Sequence, residues 1–251
     1  MNTASGNSQH IRVESFGYAT KGATAVLSAP AGQSLLMHSY SLTNASLSTI
    51  DMGLGVGLPG IAWKFYSIGA TTIDVTASIQ GSNNTTLVGT TNNYGAIIQC
   101  KRRFGYLIMN VSQIQTGSPA YSYEYWNGTA WTTLTLNQSP VYTATGLVYV
   151  TFQAPSDWTA GNDGTISNFN GVFAGFCIRI RGTTAPTQTV LINSLTVAKW
   201  IAYRQSVGTK QCMQVMFKER PYFLEALETL IPYFGAASAS NSVEVSYQTS
   251  P

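Results

Sequence analysis

A chain of 251 residues is long enough for one large β domain or two small ones. Its charge is sparse: 13 basic and 10 acidic side chains make up 9% of the residues, against about 25% in an ordinary soluble domain. Hydrophobic residues at 44% and aromatics at 12% exclude a disordered chain, no apolar run reaches the roughly 18 residues of a membrane helix, and heptads of Glu, Lys and Ala are absent. A formal net charge of +3 is too small for a phosphate-binding face, so neither nucleic acid nor membrane is expected as a partner. The one basic cluster, Lys101-Arg102-Arg103, reads as a charged strand end beside Phe104.

The stretch from Met1 to His10 is polar and holds no apolar signal segment, so synthesis in the cytosol is expected. Residues 1–29 show little apolar periodicity and read as an N-terminal arm. From Ser34 onward strand-like runs recur, beginning with Leu35, Met37 and Leu42. Thr71–Ile79 alternates Ile73, Val75, Ala77 and Ile79 with polar residues, which predicts a half-buried strand, and Gly81–Asn84 predicts a turn. Gly95–Cys100 and Tyr106–Gln115 read as further strands.

Tyr121-Ser122-Tyr123-Glu124-Tyr125-Trp126-Asn127-Gly128 gives the clearest local signal. An Asn-Gly pair between aromatic and β-branched runs predicts a hairpin whose two central residues, Asn127 and Gly128, both take positive φ in a type I′ turn. The return strand is Ala130–Leu136. Gly146–Gln153, Gly175–Arg181, Val190–Val197 and Lys199–Tyr203 continue the series. Pro221–Phe234 then places Phe223, Leu227, Leu230 and Ile231 at helical spacing behind a Pro suited to a first turn, with Glu225 and Glu228 on the wet side. Ser242–Tyr247 reads as a last strand, free to pair with its own sheet or a neighbour's edge. Many short strands at about ten-residue spacing predict an all-β chain: an antiparallel, jelly-roll-like β-sandwich over 30–205, the arm at 1–29, and an extension over 206–251 with a short C-terminal helix and a tail strand.

Residues suited to chemistry are few. His10 and His38 lack an oriented partner in the pattern, and GxSxG, HExxH and a phosphate loop are all missing. Gly53-Leu54-Gly55-Val56-Gly57 is half of a dinucleotide loop with Pro59 where a helix should start, which favours a Gly-rich strand. Cys100, Cys177 and Cys212 are isolated and read as small buried hydrophobes, with neither disulfide nor zinc site. Asp157 and Asp163 occupy turn positions. No catalytic residue, metal or cofactor is therefore expected, and the chain reads as a non-enzyme. Trp126, Trp131 and Trp158 offer one alternative, a platform on which sugar rings could stack, against which stands their value as core.

Tyr125-Trp126-Asn127-Gly128-Thr129-Ala130-Trp131, then Gly146-Leu147-Val148-Tyr149-Val150, Ala154-Pro155-Ser156-Asp157-Trp158 and Cys177-Ile178-Arg179-Ile180-Arg181, resemble a β-sandwich module common in virion proteins of tailed bacteriophages. The resemblance covers about a third of the chain. It implies a structural component of a phage virion, assembled in the host cytoplasm: a capsid decoration (cement) protein bound to the major capsid protein or to other virion proteins, as a homotrimer. The alternative it leaves open is a carbohydrate-binding tail or fibre module for host attachment. The polar ends are expected to order on neighbouring subunits, leaving a self-sufficient sandwich between them.

Overall fold

The computed structural model describes residues 12–18, 22–23, 27–166, 174–217, 222–234 and 241–250. In chain order its strands are β1 (Arg12–Tyr18), β2 (Gly22–Ala23), β3 (Leu27–Ser28), β4 (Ser34–Thr43), β5 (Ile50–Gly57), β6 (Trp63–Ile68) and β7 (Thr72–Asp74). After one short helix, α1 (Thr76–Gln80), come β8 (Thr85–Val88), β9 (Gly95–Cys100), β10 (Tyr106–Gln113), β11 (Ala120–Trp126), β12 (Trp131–Thr133), β13 (Gly146–Thr151) and β14 (Phe176–Thr184). The long β15 (Val190–Val207), β16 (Cys212–Met216), β17 (Tyr222–Leu224), β18 (Thr229–Phe234) and β19 (Asn241–Ser250) complete the chain. The fold is all-β and antiparallel, as the spacing of apolar runs predicts. It divides into two compact units, one formed by the chain up to Gly57 together with Trp200 onward, the other by Leu58–Lys199. These limits differ from the expected segments 1–29, 30–205 and 206–251.

The 58–199 unit is a sandwich. One sheet has the order β12-β11-β14-β9-β6-β7; the other runs β13-β10-β15, with β8 also on β15. Period-two alternation turns Phe65, Ile98, Tyr123, Ile178 and Ile180 of the first sheet inward. They share one core with Leu107, Met109, Val150, Ile192 and Val197 of the second. The strand expected over Thr71–Ile79 is corrected to β7 followed by α1. Asp74 explains the break: its carboxylate accepts from the Thr76 backbone N–H at 3.0 Å and from the Thr76 hydroxyl at 2.6 Å, an Asx turn that diverts the backbone from the ladder.

The other unit repeats the plan with different strands. One sheet is ordered β1-β19-β4-β16, with β17 also on β4; the other holds the later part of β15, then β5 and β18, which pairs β2 and β3. Leu35, Met37, Tyr40, Leu42, Val243, Val245 and Tyr247 meet Met52, Leu54, Val56, Leu230 and Phe234 in its core. Met37 and Tyr40 face the same way although three apart, because Ser246 pairs with Ser39 and Tyr247 with Met37, leaving His38 as the extra residue of a bulge. Gly53-Leu54-Gly55-Val56-Gly57 lies in β5, as a Gly-rich strand.

Two expectations at the chain ends need correction, while the expected tail strand forms as β19. The helix over Pro221–Phe234 does not form; Pro221 lies outside the described residues, and the rest is β17, a turn and β18. Phe223 and Leu227, assigned to a buried helix face, are about half exposed, whereas Glu228, assigned to the wet side, is 1% exposed. Glu228 instead accepts the Glu225 backbone N–H at 3.1 Å, and Leu227 turns the chain at φ +66°. Leu230 and Phe234 then reach the core at even spacing along β18. The arm, where described, is β1, β2 and β3: β1 pairs with β19 from Arg12↔Tyr247 to Tyr18↔Asn241. The tail strand pairs within its own chain, with β1 on one side and β4 on the other.

The hairpin at 120–133 forms, but with a different turn. Trp126 pairs with Trp131, so four residues make the loop, and only Gly128 of the expected pair has positive φ, at +104°. Asn127 closes the loop with its side chain: Oδ1 accepts from the backbone N–H of Thr129 at 2.9 Å and of Ala130 at 2.8 Å. This is an Asx turn replacing the two-residue type I′ turn. A Cβ at Gly128 would also meet the Thr159 side chain at 3.3 Å. Gly128→Val is expected to cost about 1–2 kcal/mol, mostly from a left-handed backbone forced on a β-branched residue. An unchanged urea midpoint would show that the loop re-forms without it.

Candidate functional site

The residues that carry the resemblance converge in the 58–199 unit, on the two faces of β11 and β14. On the inner face Trp158 is fully buried. Its ring lies 5.0 Å from Phe104, 5.8 Å from Phe176, 6.1 Å from Phe152 and 6.4 Å from Tyr125, and its Nε1–H donates to the Cys177 carbonyl at 3.1 Å. Arg103 holds the turn that delivers this ring. Its guanidinium donates to the Trp158 carbonyl at 2.6 Å and stands over the Phe176 ring at 5.5 Å. Asp157 accepts the Tyr125 hydroxyl at 2.9 Å. The Pro-Ser-Asp-Trp run is thus a plug driven into the sandwich core.

The outer face of the same strands carries charge. Glu124 on β11 lies opposite Arg179 on β14 and accepts from it at 2.7 Å; Arg181, two residues further, donates to both Glu124 oxygens at 2.8 and 2.9 Å. Burial alone would raise the Glu124 pKa, but the hydrogen bonds and charges of the two arginines outweigh it and hold the carboxyl below its usual range. Arg179 also lies 4.5 Å over the Trp131 ring, and Trp131 Nε1–H donates to Asp163 at 2.7 Å. Asp163 behaves as Glu124 does: desolvation pushes it up, while Thr165, Trp131 and Arg179 pull it lower on balance. Gly161, at φ +138°, passes so close to Trp126 that a Cβ there would sit 3.2 Å from Nε1. The 159–166 segment is thereby held on this face.

Glu124→Gln is expected to cost about 1–2 kcal/mol, between the values for exposed and fully buried ion pairs, because two partly buried arginines lose their counter-charge. Both carboxyls have depressed folded pKa values, so their stabilisation is complete above the ordinary carboxylate range and is lost as pH falls through the folded values. Melting temperature followed from pH 7 to pH 2 should fall steeply on the acid side for the parent and more gently for Glu124→Gln. Parallel acid limbs would refute the assignment.

Placed in this frame, the three tryptophans do not form an open platform. Trp158 is core, Trp126 is 9% exposed, and Trp131 is sandwiched by Arg179 and meets Trp126 edge-on at 5.6 Å. Asp157 and Asp163, the two loop carboxylates, are engaged by Tyr125 and by Trp131 with Thr165. Cys100 and Cys177 are buried, and burial pushes the Cys100 thiol up to about 11, whereas Cys212 is exposed, contrary to expectation. His10 lies outside the described residues, and His38 occupies the β4 bulge. Among the described residues no group of three His, Cys, Asp or Glu side chains could hold a metal ion. No described helix is long and apolar enough to cross a membrane.

Sequence reasoning missed Glu124 and Arg103, the two residues on which this arrangement turns. A signal for Glu124 was present: a lone acid within a tyrosine ladder, and an Arg-x-Arg strand able to face it. Compared with protein-family models, curated proteins and solved structures, the chain finds no match in any of the three.

Proposed function

We propose that the chain is a structural subunit of a tailed-bacteriophage particle, a decoration or cement protein bound to the major capsid protein or to another virion protein, assembled as a homotrimer. The reading is supported above all by what the motif residues do. Trp158, Asp157, Tyr125, Asn127, Ile178, Arg179 and Arg181 are each spent on packing, turn closure or internal ion pairs. A pattern consumed in this way specifies a rigid scaffold, which is what a particle subunit requires. Sparse charge, costly to a free monomer's solubility, lets copies pack closely without mutual repulsion.

The test is electron microscopy of particles purified from cells that express the chain from its native genome, labelled with an antibody to it. Regular labelling over the head is the expected result, with light scattering of the isolated chain giving three protomers. Labelling confined to the tail moves the protein to an appendage. Particles that carry no label overturn the proposal.

A further inference from the structure

In the unit that holds both chain termini, residues 44–49 cross from β4 of one sheet to β5 of the other. Such connections are ordinarily among the most mobile parts of a sandwich. This one is fixed from beneath. Asn44 is fully buried, and its Nδ2–H groups reach the carbonyls of Ser48 at 3.0 Å, Val207 at 2.8 Å and Gly208 at 3.0 Å. Its Oδ1 accepts the Ser46 backbone N–H at 2.9 Å and the Ser46 hydroxyl at 2.6 Å. The Asn44 backbone N–H bonds the Gln211 carbonyl at 2.8 Å, and Ala45 N–H donates to Asn241 Oδ1 at 3.1 Å.

What this framework holds up is Leu47, 91% exposed and the most exposed large hydrophobic side chain among the described residues. A scattered surface leucine is ordinary; one whose loop spends a buried asparagine and a buried serine on its position is not. Fixing a loop before contact removes ordering entropy that an interface otherwise costs, so the arrangement suits insertion of one aliphatic side chain into a pocket. The turn tied to this loop, 208–211, carries Lys210, exposed and in no ion pair with a described residue. A projecting leucine beside a lone cation calls for an apolar pocket bordered by a carboxylate. A second copy offers that poorly: in its 58–199 unit Asp74, Glu124, Asp157 and Asp163 are each held by an internal partner.

We propose that Leu47 is the anchor by which the chain docks on a different virion protein, in an apolar pocket bordered by a carboxylate that meets Lys210. The partner's identity rests on the particle reading; the anchor rests on the loop.

Co-sedimentation of the purified full chain with particles grown without it tests the two separately. Leu47→Ser should weaken binding roughly 10–100-fold, the value of one buried leucine side chain, and Leu47→Met should cost clearly less. Lys210→Glu should weaken it about 3–10-fold, a difference that added salt should shrink. Ile73→Ser, at an exposed residue of the other unit, should bind as the parent does. All three positions are exposed, so melting temperatures should not change and a lost affinity reports the contact. If the parent sediments with particles and Leu47→Ser does so with equal affinity, the anchor is refuted while the particle reading survives. If the parent does not sediment with them, the particle reading falls and the anchor with it. If Leu47→Ser instead breaks up self-association of the isolated chain and leaves particle binding intact, Leu47 joins copies of the chain and the proposal is overturned.

Discussion

Deleting residues 241–251 is expected to unfold the unit built from the two ends of the chain. β19 lies inside its sheet, between β1 and β4. Val243 and Val245 are fully buried and Tyr247 is 4% exposed. Each buried side chain of this size contributes about 1.5–3 kcal/mol, so the three together approach the ~5–15 kcal/mol that stabilises a typical domain. The loss of ladder bonds to both neighbours adds to that. Hydrogen exchange should show the amides of 34–57 unprotected and those of 95–111 still protected in the truncated chain. Protection retained at 34–57 would mean that the polar ends are dispensable, as their composition alone suggests.

Trp158→Ala should be the most damaging single substitution in the 58–199 unit, at about 3–5 kcal/mol. It empties the space between Phe104, Phe152, Phe176 and Tyr125 and leaves the Cys177 carbonyl without its donor. Trp158→Phe keeps most of the ring contact and should cost clearly less, separating packing from the hydrogen bond. Urea denaturation measures both. A loss below about 1 kcal/mol for the alanine variant would show that the plug is not what closes this core.

The all-β class and most of the 58–199 strands were legible from short β-branched and aromatic runs between turn residues: Ile178, Arg179, Ile180 and Arg181 alternate inward and outward, and Tyr106–Met109 is an apolar run buried on both faces. The C-terminal region misled for a specific reason. Residues 223, 227, 230 and 231 fit one helical face by spacing, yet Leu224, Leu230 and Phe234 are the ones that enter the core, and no local rule distinguishes those two sets. The bulge at His38 likewise breaks the period between Met37 and Tyr40, and only the register against β19 reveals it. Asn127 was recognised as a turn residue, but whether its backbone or its side chain makes the turn depends on the Trp126–Trp131 pairing, which is tertiary. Burial of Trp158 and Trp126 rests on partners distant in sequence, so their exposure could not be read locally.

The 58–199 unit is one uninterrupted segment set within the other, and at its two ends the Leu58 N–H bonds the Val197 carbonyl at 2.8 Å. On a ribosome this imposes a schedule. The inner unit has its whole sequence, and a bond to tie off its ends, once Lys199 has emerged. β4 and β5 were made first, yet they wait for β18 and β19 before their sheets can close. At about 5–20 residues per second that delay lasts roughly 10–40 s, during which two apolar strands stand exposed. Nascent chains stalled after residue 235 should therefore be cut by protease within 34–57 and resist it across 95–111. A chaperone that shields β4 and β5 during that interval would set the yield of folded protein, while the inner unit, already closed, would be indifferent to it.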